Sequence, residues 1–76
     1  MPTILIVRGC RFQIYTDDHA PPHVRVIRGR AKMEIFLAPL RIGKRRGFSE
    51  QEARALLAAA AQHHQLLLSA WRHYHD

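Results

Sequence analysis

The sequence predicts an α+β fold: a small antiparallel sheet of about four strands, built as two hairpins and packed with one long C-terminal helix. The N-terminal half alternates apolar and polar positions with period two and is punctuated by Gly and Pro. The C-terminal third carries apolar positions at helical spacing. The chain has 76 residues, which is the size of a single domain spanning 1–76. A domain this small buries only roughly 60–65% of the surface of its unfolded chain, so its core is thin.

Residues 3–7 are β-branched and apolar, the composition of a strand that can be buried on both faces. Residues 11–16 carry Phe12, Ile14 and Tyr15 and form the second strand. Gly9-Cys10 suits the two-residue turn between them. In that register Val7 faces Phe12, Leu5 faces Ile14, and Arg8 meets Arg11 as a like-charge pair. Asp17-Asp18-His19-Ala20-Pro21-Pro22 breaks the pattern, because Asp and Pro-Pro cannot continue a central strand. The third strand starts near His23, with Val24, Val26 and Arg28 on one face and Arg25 and Ile27 on the other.

Gly29-Arg30 is a second tight turn. The fourth strand, 31–37, sets Ala31, Met33, Ile35 and Leu37 on one face and Lys32, Glu34 and Phe36 on the other. This turn pairs Arg28 with Ala31, Val26 with Met33, Val24 with Ile35 and Arg25 with Glu34. Apolar meets apolar and plus meets minus, the consistency expected of a true register.

Pro39 is expected to end the sheet and 41–47 to be a basic loop. Ser49 and Glu52 form a capping box that opens the helix. Leu56, Leu57, Ala60, His64, Leu67, Leu68 and Trp71 make one helical stripe, and the Ala-rich content favours helix. Run unbroken over 50–74, the helix is ~37 Å long. That exceeds what a sheet of short strands covers, so its far end calls for another surface, with Leu67, Leu68 and Trp71 as the partner-facing residues.

Ten of the twelve Lys and Arg residues lie between Arg8 and Arg46, and the formal net charge is +6. Such a field favours RNA, DNA or an acidic partner protein. Cys10 is the sole cysteine, so no internal disulfide or Cys-x-x-Cys pair exists, which fits a reducing compartment. The N-terminal run lacks the basic region and cleavage site of a signal peptide, and no apolar stretch reaches the length of a membrane span. A cytoplasmic location with no membrane contact is the expectation.

Two segments could carry chemistry. In the first, His19 and His23 bracket a Pro-Pro pair that holds them at a nearly fixed separation, which suits acid–base work or a phosphate contact. Asp17 and Asp18 could orient an imidazole. The plainer reading is a loop whose side chains bond to its own backbone. Two histidines beside Arg25 make a poor metal signature, and no cofactor is called for. In the second, Lys44, Arg45 and Arg46 run into a helix N-terminus, a combination that binds anions, with Arg41 in the same stretch. The plainer reading there is a solvated connection.

Met1-Pro2-Thr3-Ile4, the run Asp18-His19-Ala20-Pro21-Pro22-His23-Val24-Arg25-Val26, Gly47-Phe48-Ser49, and Ala70-Trp71 with Tyr74 resemble, in that order, the bacterial domain-of-unknown-function family DUF4160. That family typically continues His-Val-His where this chain has Arg25 in the last place. The resemblance carries no settled activity. It implies a small protein encoded beside another, in arrangements similar to toxin–antitoxin pairs.

Three function classes follow. One is a binding module in which Arg25, Arg41, Lys44, Arg45 and Arg46 contact nucleic acid, while a small partner protein or a second copy of the chain meets the helix. Another is a metal-independent ribonuclease with His19 and His23 as acid and base. A third, a protein-interaction domain with no nucleic-acid role, is the plainest alternative.

Overall fold

The computed structural model describes residues 2–75; Met1, which opens the Met-Pro-Thr-Ile segment, and Asp76 lie outside the described residues. Five antiparallel strands follow one another as a meander: β1 (Thr3–Val7), β2 (Cys10–Gln13), β3 (His23–Arg28), β4 (Ala31–Leu37) and β5 (Leu40–Arg46). Two helices complete the chain, α1 (Glu50–Gln62) and α2 (His64–His75). The fold is α+β, with one strand and one helical interruption more than the sequence suggests.

The β3–β4 hairpin has the expected register, with Val24 opposite Ile35, Arg25 opposite Glu34, Val26 opposite Met33 and Arg28 opposite Ala31. Gly29, at φ 58°, opens its turn in the left-handed region that glycine reaches without penalty. The first hairpin differs by one residue. Its turn is Arg8-Gly9, with φ values of 54° and 73°. Two successive positive-φ residues match the right-handed twist of the flanking strands. Val7 therefore opposes Cys10, Ile6 opposes Arg11 and Leu5 opposes Phe12. The like-charge Arg8–Arg11 pair disappears, and β2 ends at Gln13, earlier than expected.

Pro39 does not end the sheet. It sits with Ala38 in a two-residue turn, where Leu37 opposes Leu40 and a missing N–H removes nothing from the ladder. The stretch 41–47, expected as a loop, is strand β5 as far as Arg46. An edge strand tolerates this much charge because one flank faces solvent. The β4–β5 register shifts between Met33 and Ile35, and Gly43 lies at the shift. A Cβ there would stand 2.6 Å from the Phe36 ring, so only glycine lets the two strands close.

The capping box forms as expected: Ser49 Oγ accepts the Glu52 N–H at 3.1 Å, and Glu52 Oε1 accepts the Ser49 N–H at 3.0 Å. The expected single helix is broken at His63, whose backbone leaves helical geometry at φ −108° and ψ 26°. His64 Nε2 donates to the Leu37 carbonyl at 2.6 Å, tying the break to the end of β4. The Leu37 N–H in turn donates to the Pro22 carbonyl at 2.9 Å. One residue thus links the Pro-Pro loop, the sheet and the helix bend. The longest dimension of the chain is 33 Å, shorter than the ~37 Å of an unbroken helix.

Both helices lie on the sheet, α1 on β4 and β5, and α2 on β3 and β4. The core between the layers holds Phe12, Ile14, Val24, Val26, Met33, Ile35 and Leu37 from the sheet side, with Phe48, Leu56, Leu67 and Trp71 facing them. Leu67 (0% exposed) and Trp71 (5%) are therefore core residues of this chain and not a surface offered to a partner. Leu68 is half-buried against the same core, and the exposed apolar side chains of α2 are Leu66 and Tyr74. The bend explains this correction, because it lays the far end of the helix back on the sheet. No helix among the described residues is long and apolar enough to cross a membrane.

Glu52 joins the helix start to the sheet. Besides the Ser49 N–H, it accepts Arg28 Nη2 at 2.6 Å. The Ser49 backbone N–H, aided by Arg28, holds the Glu52 carboxyl below its ordinary value of 4.5. A carboxyl depressed in the folded state stabilises the fold fully above its unfolded value, and that contribution is lost as pH falls through the folded one. Thermal unfolding followed across an acid pH series should show the wild-type midpoint falling more steeply below pH 4.5 than that of Glu52→Gln, with the variant already less stable at neutral pH.

Candidate nucleic-acid interface

One sheet face carries the helices, and the strand register decides what stands on the other. Side chains alternate between faces along each strand. Arg11 opposes Ile27, and Gln13 opposes Arg25. Ile27 opposes Lys32, and Arg25 opposes Glu34. Lys32 in turn opposes Arg46, and Phe36 opposes Arg41. All these positions alternate with core residues and share the uncovered face.

This face holds a groove of about 520 Å³ lined by Tyr15, Arg25, Ile27, Lys32, Met33, Glu34, Lys44, Arg45 and Arg46. Arg25, Lys44 and Arg46, which the sequence places in two separate segments, are brought together on this face by the pairing of β3, β4 and β5, whereas Arg45 opposes the core residue Met33 and its side chain belongs to the helix side of β5. Lys32, Tyr15 and Ile27 complete the walls and were not singled out from sequence. The signal for Lys32 was the alternation of β4, which already put it beside Glu34. Arg41 stands apart from the groove, with its guanidinium carbon 4.1 Å from the centre of the Phe36 ring.

Asp18 organises one end of the face. Its Oδ1 accepts Arg25 Nη2 at 2.6 Å and its Oδ2 accepts Arg25 Nε at 3.2 Å, a two-pronged pair. Burial works against the Arg25 charge, and the hydrogen bonds and charge of Asp18 outweigh it, so its pKa rises above the ordinary arginine value. The guanidinium carbon of Arg25 also lies 3.9 Å from the centre of the Tyr15 ring. Arg25 and Glu34 are cross-strand neighbours as expected, but the ion pair goes to Asp18, whose two carboxylate oxygens accept from Nε and Nη2. Glu34 is left with the Lys44 backbone N–H, at 3.3 Å.

The same Asp18 Oδ2 lies 3.1 Å from His23 Nε2. His23 Nδ1 lies 2.9 Å from the Pro21 carbonyl oxygen. Both ring nitrogens thus lie within hydrogen-bond distance of oxygen atoms of this loop. The ring is 8% exposed and packs near Phe36 and Trp71, with centroids 5.6 and 5.2 Å away. His19 is exposed in the loop. The two histidines have unlike environments, and His23 offers no free ring nitrogen to a substrate. Of the two acids before the Pro-Pro pair, Asp18 is the one that orients an imidazole.

The anion site expected at the helix N-terminus is also different in the structure. Lys44, Arg45 and Arg46 belong to β5, and the first helical turn is occupied by Glu52 and its own capping bonds. Among the described residues, no group of three or more His, Cys, Asp or Glu side chains could hold a metal ion.

The family described as "Domain of unknown function (DUF4160)" matches residues 9–72. No curated protein and no solved structure matches the chain. The matched span contains the Asp18 cluster, the cations of the groove and the helix break.

Removing the Asp18 carboxylate leaves His23 and Arg25 without their shared acceptor. Asp18→Ala should destabilise the fold by about 2–3 kcal/mol, the loss of charge-assisted hydrogen bonds at a largely buried acceptor, with the half-exposed Arg25 limiting the effect. His19→Ala should change stability by less than about 0.5 kcal/mol. Urea midpoints at neutral pH measure both, and equal losses would contradict this account of the loop.

Proposed function

We propose, for a chain that belongs to the family of domains of unknown function DUF4160, a role as a nucleic-acid-binding module that takes a single strand of RNA or DNA on its uncovered sheet face. The observation that carries this reading is the groove itself. Lys32, Lys44 and Arg46 converge on it beside Glu34, and Arg25, already paired with Asp18, closes one end. Lys32 and Arg46 stand directly opposite each other in the ladder. Like charges at such positions destabilise a sheet. A fold that gathers them needs another reason to do so, and an anionic ligand supplies one.

The aromatics favour a single strand. Tyr15 and Phe36 each carry an arginine guanidinium against the ring. Bases splayed from a single strand stack on such aromatic and guanidinium planes. Reading a duplex calls for an element that projects into a groove of the DNA, whereas here the basic surface is the recessed face of a sheet. Glu34, with lone pairs to spare, suits the exocyclic amino groups of bases. In a toxin–antitoxin-like pair, the context implied by the family resemblance, this module would supply the nucleic-acid contact. The ribonuclease alternative draws no support from the geometry, since both ring nitrogens of His23 are engaged.

Fluorescence anisotropy with a labelled single-stranded oligonucleotide tests the proposal. Neutralising three phosphates with Lys32, Lys44 and Arg46 should give a slope of about −2 in log affinity against log salt. Lys32→Ala with Arg46→Ala should flatten the slope by about 1.4 while leaving the fold as stable as before or slightly more so. Tyr15→Ala should weaken binding by about 1–3 kcal/mol without changing the slope. Absence of binding at low salt, or a slope that the double variant leaves unchanged, contradicts the proposal.

A further inference from the structure

Glu34 is an acid on a face of cations, and it is bound to none of them. Asp18, Glu50 and Glu52 each pair with an arginine. Among the described residues Glu34 takes part in no ion pair, although Arg25 stands directly opposite it and Lys32 and Lys44 line the same groove. A carboxylate placed only to balance charge gains most by closing on one of these cations. Backbone geometry holds Glu34 elsewhere. Between the pairs Met33–Arg45 and Ile35–Ile42, β4 has the single residue Glu34 and β5 has two, Gly43 and Lys44. This is a β-bulge, which re-aims side chains and recurs beside functional sites. The Lys44 N–H donates to Glu34 Oε1 at 3.3 Å. Gly43 leaves the room that the carboxylate takes, since a Cβ there would stand 3.0 Å from Glu34 Oε1. The Phe36 ring borders the same space and carries the Arg41 guanidinium. One long hydrogen bond leaves most of the acceptor capacity of the carboxylate unused.

We propose that Glu34 selects guanine from the strand bound on this face, accepting the N1–H and the exocyclic N2–H together on its two carboxylate oxygens. The inference rests on the reading of that face as a single-strand nucleic-acid site. Guanine alone among the bases has two adjacent N–H donors on its Watson–Crick edge, the arrangement that a carboxylate accepts in two-pronged fashion. Adenine and cytosine set a ring-nitrogen acceptor beside the amino group, so one carboxylate oxygen would meet a lone pair. Uracil and thymine flank a single N–H with two carbonyl oxygens. The remaining group on the guanine edge, O6, is an acceptor, and the Lys32 and Lys44 ammonium groups supply donors in the same groove. Stacking on the guanidinium planes at Tyr15 and Phe36 accepts any base, so the choice among bases falls to Glu34. A site built around fixed hydrogen-bonding groups rejects ligands that leave those groups unpaired.

The test is fluorescence anisotropy at low salt with labelled short oligothymidylates that carry guanine, adenine, cytosine or thymine at one central position. The guanine strand should bind about tenfold more tightly than the other three. Replacing that guanine by inosine removes the N2 amino group, alters no protein residue, and should remove most of the preference. Glu34→Gln keeps an oxygen for the Lys44 N–H but leaves the base one acceptor in place of two. It should abolish most of the guanine preference, while affinity for the all-thymine strand holds or rises because an acid has left a cationic face. An acid that only balanced charge would, on becoming Gln, raise all four affinities alike and leave their ratios unchanged. Equal binding of the four strands by the wild type, or a guanine preference that survives inosine or Glu34→Gln, overturns the inference and leaves the reading of the face standing. Absence of binding to every strand overturns both.

Discussion

A straight helix over 50–75 would overshoot the sheet; the break at His63, fixed by the 2.6 Å bond from His64 Nε2 to the Leu37 carbonyl, is the constraint from which the rest of the arrangement follows. It lays α2 along β3 and β4 and brings Leu67 and Trp71 into the core. Trp71 in turn packs near His23, whose ring nitrogens reach Asp18 and the Pro21 carbonyl. Asp18 then holds Arg25 over Tyr15 at the mouth of the groove. Because Leu37 also receives the Pro-Pro loop through its N–H, helix bend and loop are anchored on one residue. The side chains that aim the basic face are thus positioned by packing on the opposite side of the sheet.

A thin domain imposes a second condition. Among the described residues, one helical layer covers one face of a five-stranded sheet and the other face is bare. The bare face must be polar, but polarity alone does not require one sign. Here Lys32 opposes Arg46, while Asp18 is spent on Arg25 and His23. The remaining acid of the groove, Glu34, shares this face with Lys32, Lys44 and Arg46. Like charges at Lys32 and Arg46 therefore work against the ladder on this face, and the matched apolar face of the β3–β4 hairpin works for it.

What could be read in advance depended on how local the signals were. The β3–β4 hairpin was legible because a glycine turn, apolar alternation and an Arg25–Glu34 match all agreed on one register. The first hairpin was legible as an element but not in register, since Arg8-Gly9 and Gly9-Cys10 are equally plausible turns until twist selects two positive φ angles. Strand β5 was hidden by its own charges: four basic residues behind a proline resemble a loop, and only pairing with β4 reveals a strand. The helix break carries no Gly or Pro, and its cause, a carbonyl on Leu37, is distant in sequence. For the site, residue types were legible and grouping was not. Arg25, Lys44 and Arg46 were named from sequence, but Lys32 joined them, and Arg41 and Arg45 left them, only once the register was known.

The central claim is that the uncovered sheet face, and not the helical face, meets nucleic acid. Backbone amide NMR of the labelled chain, titrated at low salt with a single-stranded oligonucleotide, tests it most directly. The account predicts shifts concentrated at Tyr15, Arg25, Ile27, Lys32, Glu34 and the strand from Gly43 to Arg46, with α1 and the outer face of α2 unmoved. Shifts centred on the helices, or none at any site, would contradict it.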